Sequence, residues 1–264
     1  MVNMVSKYKL ARLKAYGMEA LGLFGFVLIA GLVSIFMEHP DMPAMQSSLK
    51  HQPTLRRIPL AIVLGVYIFI ITKAFGKKSG ALVNPAITWA LYRQGNITFI
   101  DALWYTVAQF IGAAAAALLL KLALFQWFSH PNIHFGITKP IAPHTTQDAF
   151  IAEALISFIA MATMLVFSSV KKLEKATPYM MAIWIALFLF FELPYSGMSM
   201  NPARSFAGAL AANKWEHLWI YFAAPIPAML LAGELFLVWK KWKIKKEILM
   251  AQSELQRMQH FPVV

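Results

Sequence analysis

The sequence predicts an all-α membrane protein of six transmembrane helices plus two re-entrant half-helices, arranged as two inverted repeats within one domain spanning residues 1–264. Three observations carry that prediction. Of the 264 residues, 59% are hydrophobic and 14% charged, with a mean hydropathy of +0.58, a composition that cannot clothe a soluble surface. Six apolar runs have lengths suited to a hydrocarbon core of about 30 Å. Two further apolar segments each carry a Gly turn followed by Asn-Pro-Ala.

The first run, Gly17 to Met37, follows a basic tail, and with no small-residue cleavage site after it, it reads as a retained span. Further spans are expected at 58–75, 102–120, 152–170, 177–191 and 218–238, the second and fifth being the shortest. The formal net charge is +12, but the bases flank apolar runs, so the charge encodes topology and no nucleic-acid partner is expected. Seventeen bases fall on the segments that share a side with the chain ends and seven on the other, which predicts cytoplasmic termini. Arg56 and Arg57 run against this trend and are expected to be interfacial anchors. Cysteine is absent, which excludes disulfides, thiolate metal sites and cysteine nucleophiles. No metal or cofactor is expected.

The chain repeats itself. Glu19-Ala-Leu opens the first span and Glu153-Ala-Leu the fourth, and Asn84-Pro85-Ala86 follows the second span as Asn201-Pro202-Ala203 follows the fifth. Repeat one covers about 15–125, repeat two about 149–240, and a basic tail covers 240–264. Each half holds three spans, an odd number, so the copies enter the membrane from opposite faces and the two boxes approach the midplane from opposite sides.

Asn is a favoured N-cap and Pro suits the first helical position, so half-helices should begin at Pro85 and Pro202. Ending at Tyr92 and Ala212, they would have 8 and 11 residues. At roughly 1.5 Å per residue these total about 28 Å, one bilayer thickness. The irregular backbone before each box (Gly80, Ala81, Leu82 and Val83; Gly197, Met198, Ser199 and Met200) would then lie at membrane depth. Lipid cannot satisfy its carbonyls, so they must line an enclosed, hydrated path.

On these residues the chain resembles the aquaporin (major intrinsic protein) family. The resemblance covers roughly residues 15–240: the two boxes, Ser79-Gly80-Ala81, Gly197 through Arg204-Ser205, the Glu of spans one and four, and Ala108-Gln109-x-x-Gly112. It implies an aquaporin-like fold, a homotetramer with one pore per protomer, and a selectivity filter at Leu64, Leu189, Met198 and Arg204. It also makes Glu19 and Glu153 buried structural acids that orient re-entrant backbone near the opposite box. Leu82 stands where the family usually has His. Ser205, Ala209 and Tyr221-Phe222 differ from the Asp, base and Pro-aliphatic pair of glycerol-type relatives, which favours water.

Both half-helix dipoles would present positive ends at the midplane and repel cations, while the amide NH₂ groups of Asn84 and Asn201 donate to a passing solute. Arg204 is a charge in apolar surroundings and hence a candidate functional residue, and the resemblance makes it the filter arginine near the outer mouth, a permanent donor and cation barrier. Glu192 either hydrogen-bonds the Tyr195–Met200 backbone or is solvated in the outer vestibule. The histidines, five of them in the first and third outer loops, are expected to be solvated. The lysine-rich stretch 240–246 can meet anionic inner-leaflet lipid. The expected function is passive water conduction with exclusion of ions and protons. Alternatives are a facilitator of glycerol or another small neutral solute, and a structural or adhesion protein with a closed pore, which the long loop 126–149 permits. With no nucleophile or metal ligands beside the two carboxylates, an enzyme ranks last. The short tails suit a bacterial inner membrane.

Overall fold

The computed structural model describes residues 2–259. Eight principal helices organise it: α1 (Val2–Glu38), α2 (Pro53–Phe75), α3 (Pro85–Arg93), α4 (Phe99–Ala123), α5 (Thr146–Ser169), α6 (Thr177–Phe191), α7 (Pro202–Ala212) and α8 (Pro225–Gln259). Six helical segments are long and apolar enough to cross a membrane, while α3 and α7 are the half-helices. The protein is an all-α, multi-pass membrane protein. The side from which α1 enters is termed inner, and the opposite side outer.

Local chemistry sets the boundaries. Pro53 and Pro225 open α2 and α8, and Thr98 caps α4 by accepting from Asp101 N. Thr145 and Asp148 form a reciprocal capping box at the start of α5. The first half-helix runs one residue beyond the expected end, to Arg93. Larger differences lie at the ends of the chain: α1 starts well before Gly17, and α8 continues past residue 238 to Gln259. Hydropathy marks the membrane-embedded length, whereas the Lys, Glu, Gln, Ala and Leu residues beyond it are strong helix formers and prolong the helices into water. The sixth span also begins later than 218, because a short turn, Ile220–Ala223, precedes the break at Pro225. The last five residues of the predicted basic tail lie outside the described residues.

Packing reproduces the predicted inversion. In repeat one α1 packs on α4, and in repeat two α5 packs on α8. Each half-helix leans on the third span of the other repeat, α3 on α8 and α7 on α4, while α2 and α6 pair at the centre. Small residues permit these close crossings, which are held by van der Waals contact because lipid supplies no hydrophobic drive between helices. A Cβ on Gly112 would sit 2.1 Å from the Ala20 carbonyl oxygen, and one on Gly65 2.9 Å from that of Ala182. The Ala113, Ala116 and Ala117 face of α4 is buried beside the first of these crossings.

Candidate functional site

The inner half-site is built by Glu19, which is fully buried. Its carboxylate accepts from the backbone N–H of Leu82 at 3.0 Å and of Val83 at 2.6 Å, and from the Gln109 amide at 2.8 Å. Tyr105 donates to the Ser79 carbonyl at 2.8 Å, and the Ser79 hydroxyl accepts from Ala81 N at 3.0 Å. These contacts hold a backbone that would not adopt this path alone. Gly80, Ala81 and Val83 have φ of 94°, 49° and 41°, the left-handed region, which costs non-glycine residues roughly 1–2 kcal/mol each.

The outer half-site repeats this construction. Glu153, equally buried, accepts from Ser199 N and Met200 N, both at 2.7 Å, and its third contact is the Ser196 hydroxyl at 2.7 Å. Tyr221 donates to the Ser196 carbonyl, and Ser196 Oγ accepts from Met198 N at 3.0 Å. Gly197, Met198 and Met200 take positive φ at 79°, 45° and 55°. Each acid therefore holds the segment before the box of its own repeat, and the last carbonyl of that segment meets the asparagine of the opposite box. Glu19 and Glu153 sit on the first helix of their repeat, directly against the backbone that returns beside it.

The two boxes meet. Asn84 accepts from Ala86 N at 2.9 Å and so caps α3, and Asn201 accepts from Ala203 N at 3.1 Å and Arg204 N at 3.3 Å to cap α7. Pro85 and Pro202 occupy the first helical positions, and Ala86 and Ala203 are fully buried behind them. The amide nitrogens cross over: Asn84 Nδ2 donates to Met200 O and Asn201 Nδ2 to Val83 O, both at 2.7 Å. This corrects the expectation of wholly free NH₂ groups and of open carbonyls at Val83 and Met200. One hydrogen of each amide clamps the two repeats together, and the second remains for a solute.

Two cavities lie along this axis. One, of about 100 Å³, is lined by Gly80 to Asn84, Ser199 to Asn201 and apolar side chains of α1, α2, α5 and α6. Thr177 lines it too, and its hydroxyl has no partner among the described residues. The other, of about 340 Å³, opens outward and brings together Leu64, Leu189, Met198 and Arg204 with Gly197. Leu64, Leu189 and Met198 are each 2% exposed or less. Phe26 of α1 borders both cavities and was missed by sequence reasoning, since nothing distinguishes it among the 20 phenylalanines.

Around the outer cavity, three further expectations change. Arg56 is no lipid-interface anchor: it is buried, pairs with Glu38 at 3.1 Å and donates to the Leu49 and Lys50 carbonyls at 2.7 Å, an arrangement that compensates its desolvation. Arg57 lines the cavity beside it. His39 is buried against the His130 ring at 4.8 Å instead of being solvated. The Glu192 side chain is neither solvated nor bonded to the loop backbone; it is buried, and its Oε1 makes a short contact with the Ser196 hydroxyl, while only the Glu192 carbonyl accepts from Tyr195 N. The loop 126–149 folds back onto the site. Gly136 O accepts from Arg204 Nη1 at 3.2 Å, and Thr138 donates to Ser205 at 2.8 Å. Lys121 donates to Ala211 O at 2.8 Å, a cation at the negative end of α7.

The comparisons with known proteins bear on the family and the fold. The family profile described as Major intrinsic protein matches residues 6–236. Human Aquaporin-4 is 29% identical over 84% of this chain and 66% of its own length. Aquaporin NIP2-2 of Zea mays is 32% identical over 75% of this chain and 63% of its own. Aquaporin-4 of Notomys alexis is 31% identical over 67% of this chain and 54% of its own. The chain thus spans about half to two-thirds of the length of the curated relatives it matches. The solved structure of the aquaglyceroporin from Plasmodium falciparum shares the fold, with a TM-score of 0.68 at 17% identity, covering 85% of this chain and 95% of that one.

Proposed function

The chain belongs to the major intrinsic protein family, and from that premise we propose that it is a passive channel, not an enzyme, that conducts water down its osmotic gradient and excludes ions and protons. The reciprocal asparagine pair is the observation that carries this reading. With one hydrogen of each amide spent on the opposite backbone, two convergent donors and two positive helix ends face the same point. A water accepting there turns its own hydrogens toward opposite mouths, which breaks a proton wire. Arg204, held by Gly136 O at the outer cavity, supplies a permanent positive charge against cations.

A second reading, a facilitator of glycerol or another small neutral solute, is favoured by the Leu64, Leu189 and Met198 walls, which offer water few hydrogen bonds and present apolar surface to carbon-bearing solutes. A closed structural or adhesion protein is disfavoured, because the 126–149 loop is engaged in bracing Arg204 and α7. We further propose cytoplasmic termini, from the charge bias, and a homotetramer with one pore per protomer, from the family. Stopped-flow light scattering on proteoliposomes tests the function. Fast shrinkage under an impermeant osmolyte is the expected result; rapid reswelling in glycerol selects the facilitator, and neither response from folded protein overturns both.

A further inference from the structure

The two buried acids share a serine hydroxyl, Ser79 on Glu19 and Ser196 on Glu153, but differ in what surrounds it. Glu19 also receives the amide of Gln109, which has no proton to lose at any ordinary pH. At the offset relating Tyr105 to Tyr221, Gln109 corresponds to Pro225, so repeat two has no such donor. The Ser196 hydroxyl, unlike that of Ser79, touches a second carboxyl, Glu192, at the position where repeat one has Phe75.

Proton counting then decides the state of the group. A serine hydroxyl has one hydrogen and two lone pairs. Ser196 Oγ contacts Met198 N, Glu153 Oε1 and Glu192 Oε1. The Met198 N–H takes one lone pair, and two ionised carboxylates cannot share the single remaining hydrogen. One of them therefore brings its own. Each oxygen of Glu153 already accepts a backbone N–H, from Ser199 and Met200, whereas Glu192 Oε2 is buried with no hydrogen-bond partner among the described residues. An ionised Glu192 would leave an unpaired buried charge there.

We propose that Glu192 holds a proton at neutral pH and is a positioning residue for the selectivity filter: its O–H donates to Ser196, Ser196 donates to Glu153, and the completed relay fixes the turn that presents Met198. Ionising Glu192 would set two anionic carboxylates around one hydroxyl, break one of its contacts and release the turn. Other charged or titratable groups face this cluster from each neighbouring element. These are Glu153 of α5, Arg204 of α7 and Tyr221 of the turn before α8. Asp148, at the start of α5, lines a lateral groove that also reaches Glu192, and His144 stacks on Tyr195 at 4.1 Å.

The proposal depends on the channel reading only for its transport readout; the protonation is read separately by infrared spectroscopy. Full-length protein in proteoliposomes should give a protonated-carboxylic-acid carbonyl band at neutral pH that is lost on strong alkalinisation and is absent in Glu192→Gln. Ser196→Ala, which removes the acceptor of that acid, should shift the band. Water flux in the wild type should be lost reversibly over the same alkaline range, while Glu192→Gln, whose amide can still donate to Ser196, should conduct at neutral pH and lose the alkaline response. No acid band in the wild type, a band that survives in Glu192→Gln or stays unshifted in Ser196→Ala, or an alkaline loss of flux that persists in Glu192→Gln would overturn it. If no flux is detected at any pH, the channel reading fails while the infrared result still judges the proton.

Discussion

The inner and outer half-sites are the same device built twice, yet they part at a few positions. Both use a buried glutamate on two backbone N–H groups, a tyrosine on a serine carbonyl, and an asparagine that caps its own half-helix while holding the opposite segment. The difference begins one residue after each box, where Ile87 follows the inner and Arg204 the outer. A shared scaffold thus fixes the meeting point, and the outer half departs from it at two residues, Arg204 for Ile87 and Glu192 for Phe75, and in the loop that braces it; on the proposed reading these departures set selectivity.

If the scaffold is symmetric, its acids should be comparably costly to lose. Glu19→Ala and Glu153→Ala each strand three buried donors, at about 1–3 kcal/mol apiece. A loss of roughly 3–9 kcal/mol, seen as a large drop in melting temperature and in the yield of folded protein, is expected for both. A large loss for one and none for the other would break the equivalence.

Arg204→Val probes the departure from symmetry. It should leave the fold intact and raise proton or cation conductance at least about tenfold, or about 1.4 kcal/mol of barrier, in a pH-dye vesicle assay. Unchanged conductance would return the barrier to the shared helix dipoles. Tyr105→Phe and Tyr221→Phe should each cost about 1 kcal/mol through one lost hydrogen bond to a strained turn, and the outer change should also alter solute selectivity because its turn carries Met198. The smallest effect is expected for Lys121→Met, about 0.5 kcal/mol from uncapping the α7 C-terminus, with thermal unfolding as the check.

Much of this was legible in the sequence because parity, hydropathy and the Asn-Pro caps are local or nearly local signals. The six spans, the inversion and both half-helices follow from them, whereas the grouping of Leu64, Leu189, Met198 and Arg204 was implied by the family resemblance alone and is met in the outer cavity. What was not legible depends on partners distant in sequence. The Asn84 to Met200 bond joins residues 116 apart, and no local pattern states that an amide hydrogen will be spent there. Arg56 reads as an anchor until Glu38 and the Leu49 and Lys50 carbonyls are placed around it. Glu192 could be flagged as out of place but not interpreted, since its meaning lies in a serine that two acids share.

That two inverted half-sites enclose one conducting path can be tested most directly by thiol labelling, because the chain has no native cysteine. Leu82→Cys places a single thiol on the inner segment and Met198→Cys one on the outer. A membrane-impermeant thiol reagent should abolish water flux from the inner side alone in the first variant and from the outer side alone in the second. Complete labelling of both with flux unchanged would contradict the account.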